Sequence, residues 1–354
     1  MYELRGNIAV KARKNMKHLM YKLDSKLIHR ISRDEAHRTR ELILKAKKQS
    51  VVDSRLKKKM EEYCRERFGK TDYWPWLALY TEYRGEFKEG WIPCDYFRFS
   101  ILPQWNPHSS FSSLKTMDYR LFTDFSVRPV ATVINSVIYG PDQMVIDSAK
   151  LEEYFDTDDK EFVIKQDGGK GGDKIQFVKK DGLRNLDLNS LGNAVVQPVL
   201  KQHASLDRIY SGSVNTVRVA TFLESDGRAS RKFNILRVGT NGSRVDNTSS
   251  GGLFMLLDTE GNIISEAYDN FCIPAGSDHP DSGVAFKSVK IPGVREASEA
   301  CCRAHEKFPY ARFVAWDVCI TENGNPVLLE WNTKNPSMWF EEAMLGPFWP
   351  DYEF

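Results

Sequence analysis

A chain of 354 residues with 41% apolar and 28% charged residues has the composition of a globular enzyme and is long enough for two or three subdomains. Its longest apolar runs, such as GLFMLL, are far too short to cross a membrane as a helix. Its charged first residues lack the apolar core of a signal peptide, and its six cysteines form no CxxC pair of the kind found in zinc ribbons. A reducing, cytoplasmic setting is therefore predicted, with attachment to the inner face of a membrane as the peripheral alternative.

The net charge of +2 conceals a basic amino-terminal region on an acidic body. Residues 1–70 carry 21 Lys and Arg against 9 Asp and Glu, a charge of +12, which leaves −10 for the rest of the chain. Apolar residues at spacings of three and four predict a first helix: Met16, Leu19, Met20, Leu23, Leu27 and Ile31. A capping box from Ser32 to Glu35 predicts a second helix that runs towards Gly69. Solvation explains such basic faces most simply, and contact with an anionic membrane surface or with glycan machinery is the alternative. No aromatic residues alternate with the basic ones in the manner of base-stacking surfaces, so nucleic acid is not favoured as a partner.

The remaining segments predict an α+β fold. Residues 71–125 are rich in aromatic residues and proline, which predicts helices broken by turns. From residue 126 onward, short apolar runs alternate with turn residues, and only residues 294–308 read as a long helix. ATVINSVIYG and MVID, around a PDQ turn, predict a hairpin, and NAVVQPVL predicts a strand that lies at an edge or ends early because it contains a proline. Hairpins with interspersed helices favour α+β over a doubly wound sheet.

A glycine-rich loop, KQDGGKGGDK, lies between two of these predicted strands at residues 165–174. It fits neither the P-loop pattern nor the Rossmann fingerprint. A different phosphate-binding loop or a plain hairpin turn remain as explanations.

The last predicted hairpin carries two acids. If Ile320 pairs with Val327, then Asp317 lies opposite Glu330, and Asn332 shares the face of Glu330. Carboxylate and amide oxygens are the ligands that hold Mg²⁺ beside nucleotide phosphates. The alternative is a register shifted by one residue, with one acid directed to solvent.

The order of these parts resembles the ATP-grasp superfamily, and more closely its sugar-transfer-associated family, which is usually met in surface-glycan gene clusters. The segments that carry the resemblance are WIPCDYFRFSILPQWN, FVIKQDGGKGGDKI, VVQPVLKQH, VNTVRVAT, LRVGTNGSRVDNTSSGGLFMLLDTEGNI, HPDSGVAFKSVKIPG and AWDVCITENGNPVLLEWN. The resemblance implies an ATP-grasp fold, in which two α+β lobes grip ATP. The predicted divisions are a basic helical region (1–70), a pre-ATP-grasp region (71–125), a small lobe with the glycine loop (126–200) and a large lobe (201–354).

The resemblance also implies roles for individual residues. Those expected at ATP are Lys165, Gly168, Gly169, Gly171, Gly172, Gln197, Pro198, Val199, Leu200 and His203. Catalytic charge stabilisation is expected from Lys165, Arg218 and Arg237. The acceptor side is expected to comprise Asn215, Asp246, Asn247, Ser249, Gly251, Gly252 and His279. Asp317, Glu330 and Asn332 are expected to hold Mg²⁺, with two ions present.

Two departures from the family pattern carry further expectations. Trp331 stands where the family commonly has glycine, and it is expected to narrow the space beside the metal. The family's Asp-Lys element before the small lobe is represented only by MDYR, so Arg120 is the candidate for a second phosphate-binding cation.

The resemblance implies an ATP-dependent carboxylate–amine ligase that works through an acyl phosphate and releases ADP and phosphate, with small-molecule acid and amine substrates. A kinase that phosphorylates a sugar or metabolite hydroxyl would use the same metal and lysine, and a nucleotide-binding module without catalysis is the third alternative. The sequence identifies neither the acceptors nor the oligomeric state.

Overall fold

The computed structural model describes residues 27–147, 151–155, 159–169 and 174–350. These residues form two compact units. One unit takes the described residues up to Leu102 together with those from Ser337, and the other runs from Pro103 to Pro336. The four segments predicted from the sequence follow changes in composition, whereas the two units follow contacts, so the four-part division stays a prediction.

The first unit is helical. Its helices are α1 (residues 27–47), α2 (Ser54–Phe68), α3 (Trp74–Arg84), α4 (Cys94–Tyr96, continued by a π-helical turn over Phe97–Ile101) and a C-terminal helix (Trp339–Leu345). The predicted helix start at Ser32 is wrong, because α1 continues through Ser32 and buries its side chain. The second helix begins instead after Asp53, whose carboxylate accepts from the backbone N–H of Leu56 (2.7 Å), and it ends as predicted at Gly69. Residues 16–23 of the first predicted helix lie outside the described residues.

A buried carboxylate joins two helices of this unit. Glu82 on α3 accepts two hydrogen bonds from the guanidinium of Arg40 on α1, at 3.1 and 2.7 Å. It also accepts from the Ser50 hydroxyl and the Val51 backbone N–H, in the segment that links α1 to α2. Each of these contacts satisfies a polar group that burial would otherwise penalise, so Glu82 stabilises the helical unit.

The second unit contains a five-stranded antiparallel sheet in the order β2-β1-β5-β3-β4. Its strands are β1 (Ala131–Ile134), β2 (Val137–Tyr139), β3 (Glu161–Gln166), β4 (Ile175–Lys179) and β5 (Ala194–Pro198). The strand with the proline, β5, is central rather than at an edge, because Pro198 stands at its end, where a missing N–H costs little. The predicted turn at PDQ is present, because the Gly140 N–H donates to the Met144 carbonyl and Tyr139 forms an antiparallel bridge with Val145. The first predicted strand also turns within itself, at Asn135 and Ser136, both with positive φ, and so forms β1 and β2.

The two faces of this sheet differ in character. Phe162, Ile164, Ala194 and Val196 point into a core with Phe155 and Leu183. Because side chains alternate along a strand, Val163, Lys165, Val195 and Gln197 share the opposite face, where Val163 pairs with Gln197 and Lys165 with Val195. This face combines an apolar pair with one lysine and one amide.

The second unit also contains a seven-stranded antiparallel sheet in the order β10-β9-β8-β7-β6-β11-β12. Its strands are β6 (Thr216–Leu223), β7 (Ala229–Val238), β8 (Leu253–Leu257), β9 (Ala267–Tyr268), β10 (Pro274–Gly276), β11 (Phe313–Ile320) and β12 (Pro326–Asn332). The helices of the unit are α5 (Leu102–Trp105, whose first residue belongs to the helical unit), α6 (Asp118–Leu121), α7 (Leu151–Phe155), α8 (Lys180–Arg184), α9 (Ala204–Ile209) and α10 (Val294–Lys307). α10 packs on one face of the sheet through Val294, Ala297, Cys301 and Ala304. The α+β class and the helical amino-terminal region, in its described part, are therefore confirmed.

No helix among the described residues is both long enough and apolar enough to cross a membrane.

Candidate functional site

Two acids of the seven-stranded sheet face each other across β11 and β12. Asp317 pairs with Glu330, as predicted, but Ile320 pairs with Pro326 rather than with Val327. A β-bulge between these two pairs accommodates Leu329 as an extra residue in β12. The predicted loop register was therefore wrong by one residue, and the bulge restores the predicted pairing of the acids.

Two arginines from neighbouring strands bind Asp317. Arg218 lies directly opposite it on β6 and donates from Nε to Oδ1 (2.6 Å) and from Nη2 to Oδ2 (2.8 Å). Arg237 on β7 donates from Nη1 to Oδ2 (3.0 Å). Burial alone would raise the pKa of Asp317, but the two guanidiniums overcome this effect and bring its pKa down to about 2.

Arg237 also binds a third acid. Its Nη2 lies 3.2 Å from Oδ1 of Asp246, in the loop that follows β7. The other oxygen of Asp246 accepts from the backbone N–H and the hydroxyl of Thr216. Arg237 thus bridges the predicted metal ligand Asp317 to the predicted acceptor loop.

The third predicted metal ligand, Asn332, donates from its amide to Oδ2 of Asp317 (3.4 Å). The three predicted metal ligands therefore offer two carboxylates and one amide on one face of the seven-stranded sheet. No group of three or more His, Cys, Asp or Glu side chains in the described part of the chain is placed to hold a metal ion. The oxygen donors suit Mg²⁺ in kind, and the side chain of Glu330 is about a third exposed (35%), but a metal would have to replace arginine contacts on Asp317.

Lys115, which sequence reasoning did not single out, binds Glu330. Its Nζ lies 3.0 Å from Oε1 of Glu330, and the lysine is buried. It precedes α6, three residues before Asp118. Arg120, the predicted second phosphate-binding cation, is exposed instead, and its guanidinium lies 4.9 Å from the centre of the Tyr139 ring. The only sequence signal for Lys115 was its position just ahead of MDYR.

Lys165 completes the cluster of charges. At the end of β3, its Nζ donates to the backbone carbonyl of Leu329, the extra residue of the bulge (3.0 Å). Burial lowers the pKa of Lys165 to about 8, against the opposing attraction of Asp118. The lysine predicted to bind phosphate therefore lies beside the strand that carries Glu330.

Trp331 does not narrow the predicted metal site, so that expectation is wrong. Its neighbours on β12 alternate in direction, and its own ring lies on the core face, stacked on Trp316 with centroids 5.8 Å apart. Its Nε1 donates to the buried carboxylate of Asp118 (2.9 Å). Burial raises the pKa of Asp118 to about 6, although Lys115 and Trp331 both favour its charged form.

The glycine loop is anchored where it begins. The Gly168 N–H donates to the Ser113 carbonyl (2.7 Å), and the Asp167 carboxylate accepts from the backbone N–H and the hydroxyl of Thr116, both at 3.0 Å. These contacts hold the start of the loop against the segment that carries Lys115. Gly169 is the last residue described before the tip, and the predicted ATP contacts Gly171 and Gly172 lie outside the described residues.

The predicted hinge follows β5. Pro198, Val199 and Leu200 are half-buried. The Gln197 amide nitrogen donates to the Val127 carbonyl (2.9 Å), and its buried Oε1 accepts no hydrogen bond from any residue that the structure describes. This unsatisfied hydrogen-bond acceptor lies on the same sheet face as the apolar pair Val163 and Val195. Together they fit an adenine ring, whose amino group is a hydrogen-bond donor. His203 caps α9, because its Nδ1 accepts from the Ser205 N–H (3.1 Å).

Two of the residues predicted on the acceptor side, Asn215 and His279, lie outside the loop of residues 246–252 and support it. Buried Asn215 accepts from the Gly239 N–H (3.1 Å), and buried His279 donates from Nε2 to the Gly239 carbonyl (2.9 Å). His279 Nδ1 in turn accepts from the N–H groups of Asp281 and Ser282. One polar atom of each side chain thus holds Gly239, the residue from which the 246–252 loop departs.

The loop itself, residues 246–252, is a compact turn. The Asn247 side chain accepts from the Ser249 N–H, and the backbone carbonyl of Asn247 accepts from the N–H of Gly252. Gly251 has φ +92, and a Cβ on Gly252 would lie 2.5 Å from the Asp246 carbonyl oxygen. The turn therefore needs both glycines and presents Asp246 to Arg237.

Comparisons with known proteins give one matching family and a set of solved structures with low sequence identity to this chain. Residues 186–346 match the model of a family described as sugar-transfer associated ATP-grasp. No curated protein matches the chain.

Three solved structures illustrate the distant similarities. The ATP-grasp ligase PsnB, complexed with a minimal precursor, is 14% identical over 68% of this chain and 59% of that chain, with a TM-score of 0.38. D-alanine–D-alanine ligase from Coxiella burnetii is 8% identical over 68% and 56%, with a TM-score of 0.39. N5-carboxyaminoimidazole ribonucleotide synthetase from Thermotoga maritima is 10% identical over 67% and 49%, with a TM-score of 0.36. The chain thus spans less than two thirds of the length of each of these structures.

Proposed function

Because residues 186–346 match the sugar-transfer-associated ATP-grasp family, which confirms the resemblance over that range, we propose that the protein is an ATP-dependent carboxylate–amine ligase. The observation that carries the proposal is the cluster of two lysines and two arginines around Asp317 and Glu330. Lys115, Lys165, Arg218 and Arg237 bring four positive charges to one place, which suits a triphosphate and a transferred phosphoryl group.

Nucleotide binding at this cluster requires an exchange of partners. At present each arginine binds Asp317, and Lys115 binds Glu330. Phosphate oxygens would take over the lysines and arginines, and Asp317, Glu330 and Asn332 would hold one or two Mg²⁺ ions, which neutralise charge on the β- and γ-phosphates. Lys165 would bind the phosphates between the two sheets, and the adenine would pack on Val163 and Val195 with its amino group donating to Gln197 Oε1.

The proposed reaction has two steps. A carboxylate oxygen of the first substrate attacks the γ-phosphorus, the bond from that phosphorus to the bridging oxygen breaks, and ADP leaves. The amine of the second substrate then attacks the acyl carbon, the bond to phosphate breaks, and the nitrogen loses a proton to water. Arg218 and Arg237 would stabilise charge on the transferred phosphoryl oxygens, since a planar fork matches two oxygens at once. The glycine loop would exclude water from the acyl phosphate.

The acceptor side is proposed at the 246–252 turn, with Asp246, Asn247, Ser249, Gly251 and Gly252. Asn215 and His279 would act there indirectly, through the backbone of Gly239. A role of His203 at the nucleotide, the cytoplasmic setting, and contact of the basic amino-terminal region with membrane or glycan machinery stay predictions.

The test is a hydroxylamine trap. The full chain is incubated with Mg-ATP, hydroxylamine and a panel of amino acids and sugar acids, and both ADP and hydroxamates are measured. A hydroxamate that depends on one acid, and that Asp317→Asn abolishes while the exposed-site control Asp278→Asn does not, is the expected result. ADP formed together with a product heavier by about 80 Da, one phosphoryl group, would establish a kinase instead. Absence of ADP across the panel, despite nucleotide binding, would support the non-catalytic alternative.

A further inference from the structure

A cavity of about 470 Å³ opens in the second unit, between α10 and the start of β12. It is lined by Phe122, Asp124 and Phe125, by Ala300, Arg303, Ala304 and Lys307 of α10, and by Asn325 and Pro326 at the start of β12. α10 packs on the core face of the seven-stranded sheet, with Val217, Trp316 and Trp331, whereas Asp317 and Glu330 point to the opposite face. The cavity is therefore separate from the candidate nucleotide site.

Small residues on α10 create the space. Ala300 and Ala304 are one helical turn apart and face the cavity, where larger apolar side chains would fill it. Phe122 is almost fully buried, and Ala304 is 4% exposed, so these two residues form an apolar, buried floor. A volume in the range of about 300–1,000 Å³ with an apolar floor is typical of small-molecule sites.

Two cations stand at the rim. Arg303 and Lys307 are also one turn apart on α10, each three residues after a cavity-lining alanine. Their ion pairs are long and exposed: Arg303 lies 3.9 Å from Glu299, and Lys307 lies 3.4 Å from Asp124. Exposed pairs of this kind are weak, so both cations are available to an incoming anion.

We propose that this cavity binds a small amphipathic organic anion, an aromatic or short aliphatic acid. Its apolar part packs between the two phenylalanines and the alanine face of α10. Its carboxylate, sulfonate or phosphate contacts Arg303 and Lys307 at the rim. An apolar floor beside two cations and one carboxylate, Asp124, has a net positive rim and selects for a ligand with one apolar end and one anionic end, which a nucleotide triphosphate or a sugar does not offer.

The probe is 1-anilinonaphthalene-8-sulfonate, with N-phenyl-1-naphthylamine as a matched ligand that lacks the sulfonate. Fluorescence and calorimetric titrations of the full chain should show one saturable site for the sulfonate and at least severalfold weaker binding of the neutral analogue. Ala300→Phe fills the cavity and should reduce affinity by about tenfold or more, the scale of losing most of the apolar contact. Ala46→Phe, at an exposed position of α1, is the matched control and should leave the affinity unchanged.

The charges provide an independent test. Arg303→Gln and Lys307→Gln should each weaken sulfonate binding by about two- to fivefold and leave the neutral analogue unaffected. Lys287→Gln, which removes an exposed positive charge elsewhere in this unit, should have no effect. Sulfonate binding that Ala300→Phe leaves intact, or that is unsaturable, overturns the proposal. If Ala300→Phe does not fold, as judged by circular dichroism, an unchanged affinity in the double variant Arg303→Gln/Lys307→Gln overturns it equally.

Discussion

Replacing Asp317 with asparagine removes a carboxylate charge to which both Arg218 and Arg237 donate hydrogen bonds, while keeping the size and one oxygen acceptor. Arg218 loses the charge partner of two hydrogen bonds and Arg237 that of one. Hydrogen bonds to charged groups contribute about 1.5–3 kcal/mol each, and breaking a fully buried ion pair costs about 3–5 kcal/mol. Arg237 keeps Asp246 as a partner, and the side chain of Arg218 is 23% exposed and can regain water, so the lower part of this range applies. We expect a loss of about 2–3 kcal/mol in the free energy of unfolding.

Urea unfolding at pH 7, followed by tryptophan fluorescence, measures this loss, with Asp278→Asn as the exposed control. The same variant should lose the Mg²⁺ dependence of ATP binding while retaining metal-free binding of the triphosphate, because neither arginine is then held by the charge of Asp317. A stability within about 0.5 kcal/mol of the wild type, the usual range for surface substitutions, would refute the assignment of Asp317 as the shared partner. Magnesium-dependent binding that survives the substitution would refute its role as a metal ligand.

Three further predictions concern other parts of the second unit. Lys115→Gln should weaken ATP binding by about tenfold, the value of one charged phosphate contact, measured by calorimetry; an unchanged affinity would make Lys115 purely structural. Burial lowers the pKa of His305 from 6.5 to about 4, so its neutral form contributes about 3 kcal/mol of stability that is complete above pH 6.5 and lost as the pH falls towards 4. Urea unfolding at pH 7.5 and 4.5 should show this loss in the wild type and a smaller one in His305→Gln; equal losses would contradict it. Gly252→Ala should lower the free energy of unfolding by about 2 kcal/mol, because the added Cβ would meet the Asp246 carbonyl oxygen. The control Gly227→Ala, at φ +82 but with open space around it, should lower it by only about 1 kcal/mol. Equal losses in thermal or urea unfolding would exclude the steric cause.

Alternation of apolar residues was sufficient to predict most strands of the second unit. The two predicted strands beside the glycine loop are β3 and β4, and the last predicted hairpin is β11 and β12. The pairing of Asp317 with Glu330 was also predicted, although from a loop register that the structure does not have. Local pattern cannot reveal a bulge, because the extra residue is specified by what packs around it.

Tertiary contacts explain the failures. Ser32 has the sequence of a helix cap, but burial of its helix face keeps α1 continuous through it. Trp331 was assigned to the metal face from a family position, whereas stacking on Trp316 places it in the core. Lys115 lies in a stretch without helical or strand periodicity, and its importance appears only where the chain brings it to Glu330, more than two hundred residues later. Polar clusters assembled from distant segments carry no local signal.

The extra residue Leu329 divides the final hairpin into two parts whose pairing differs by one position. Next to the turn, Leu328 points into the core, and beyond the bulge Trp331 does so, although an uninterrupted strand would send them in opposite directions. Removing one residue here would leave the composition of the strand almost unchanged, yet it would force a choice between burying Glu330 and expelling Trp331. The length of β12 therefore determines the face on which Glu330 lies. A single-residue deletion there would disrupt this site more completely than most substitutions within it.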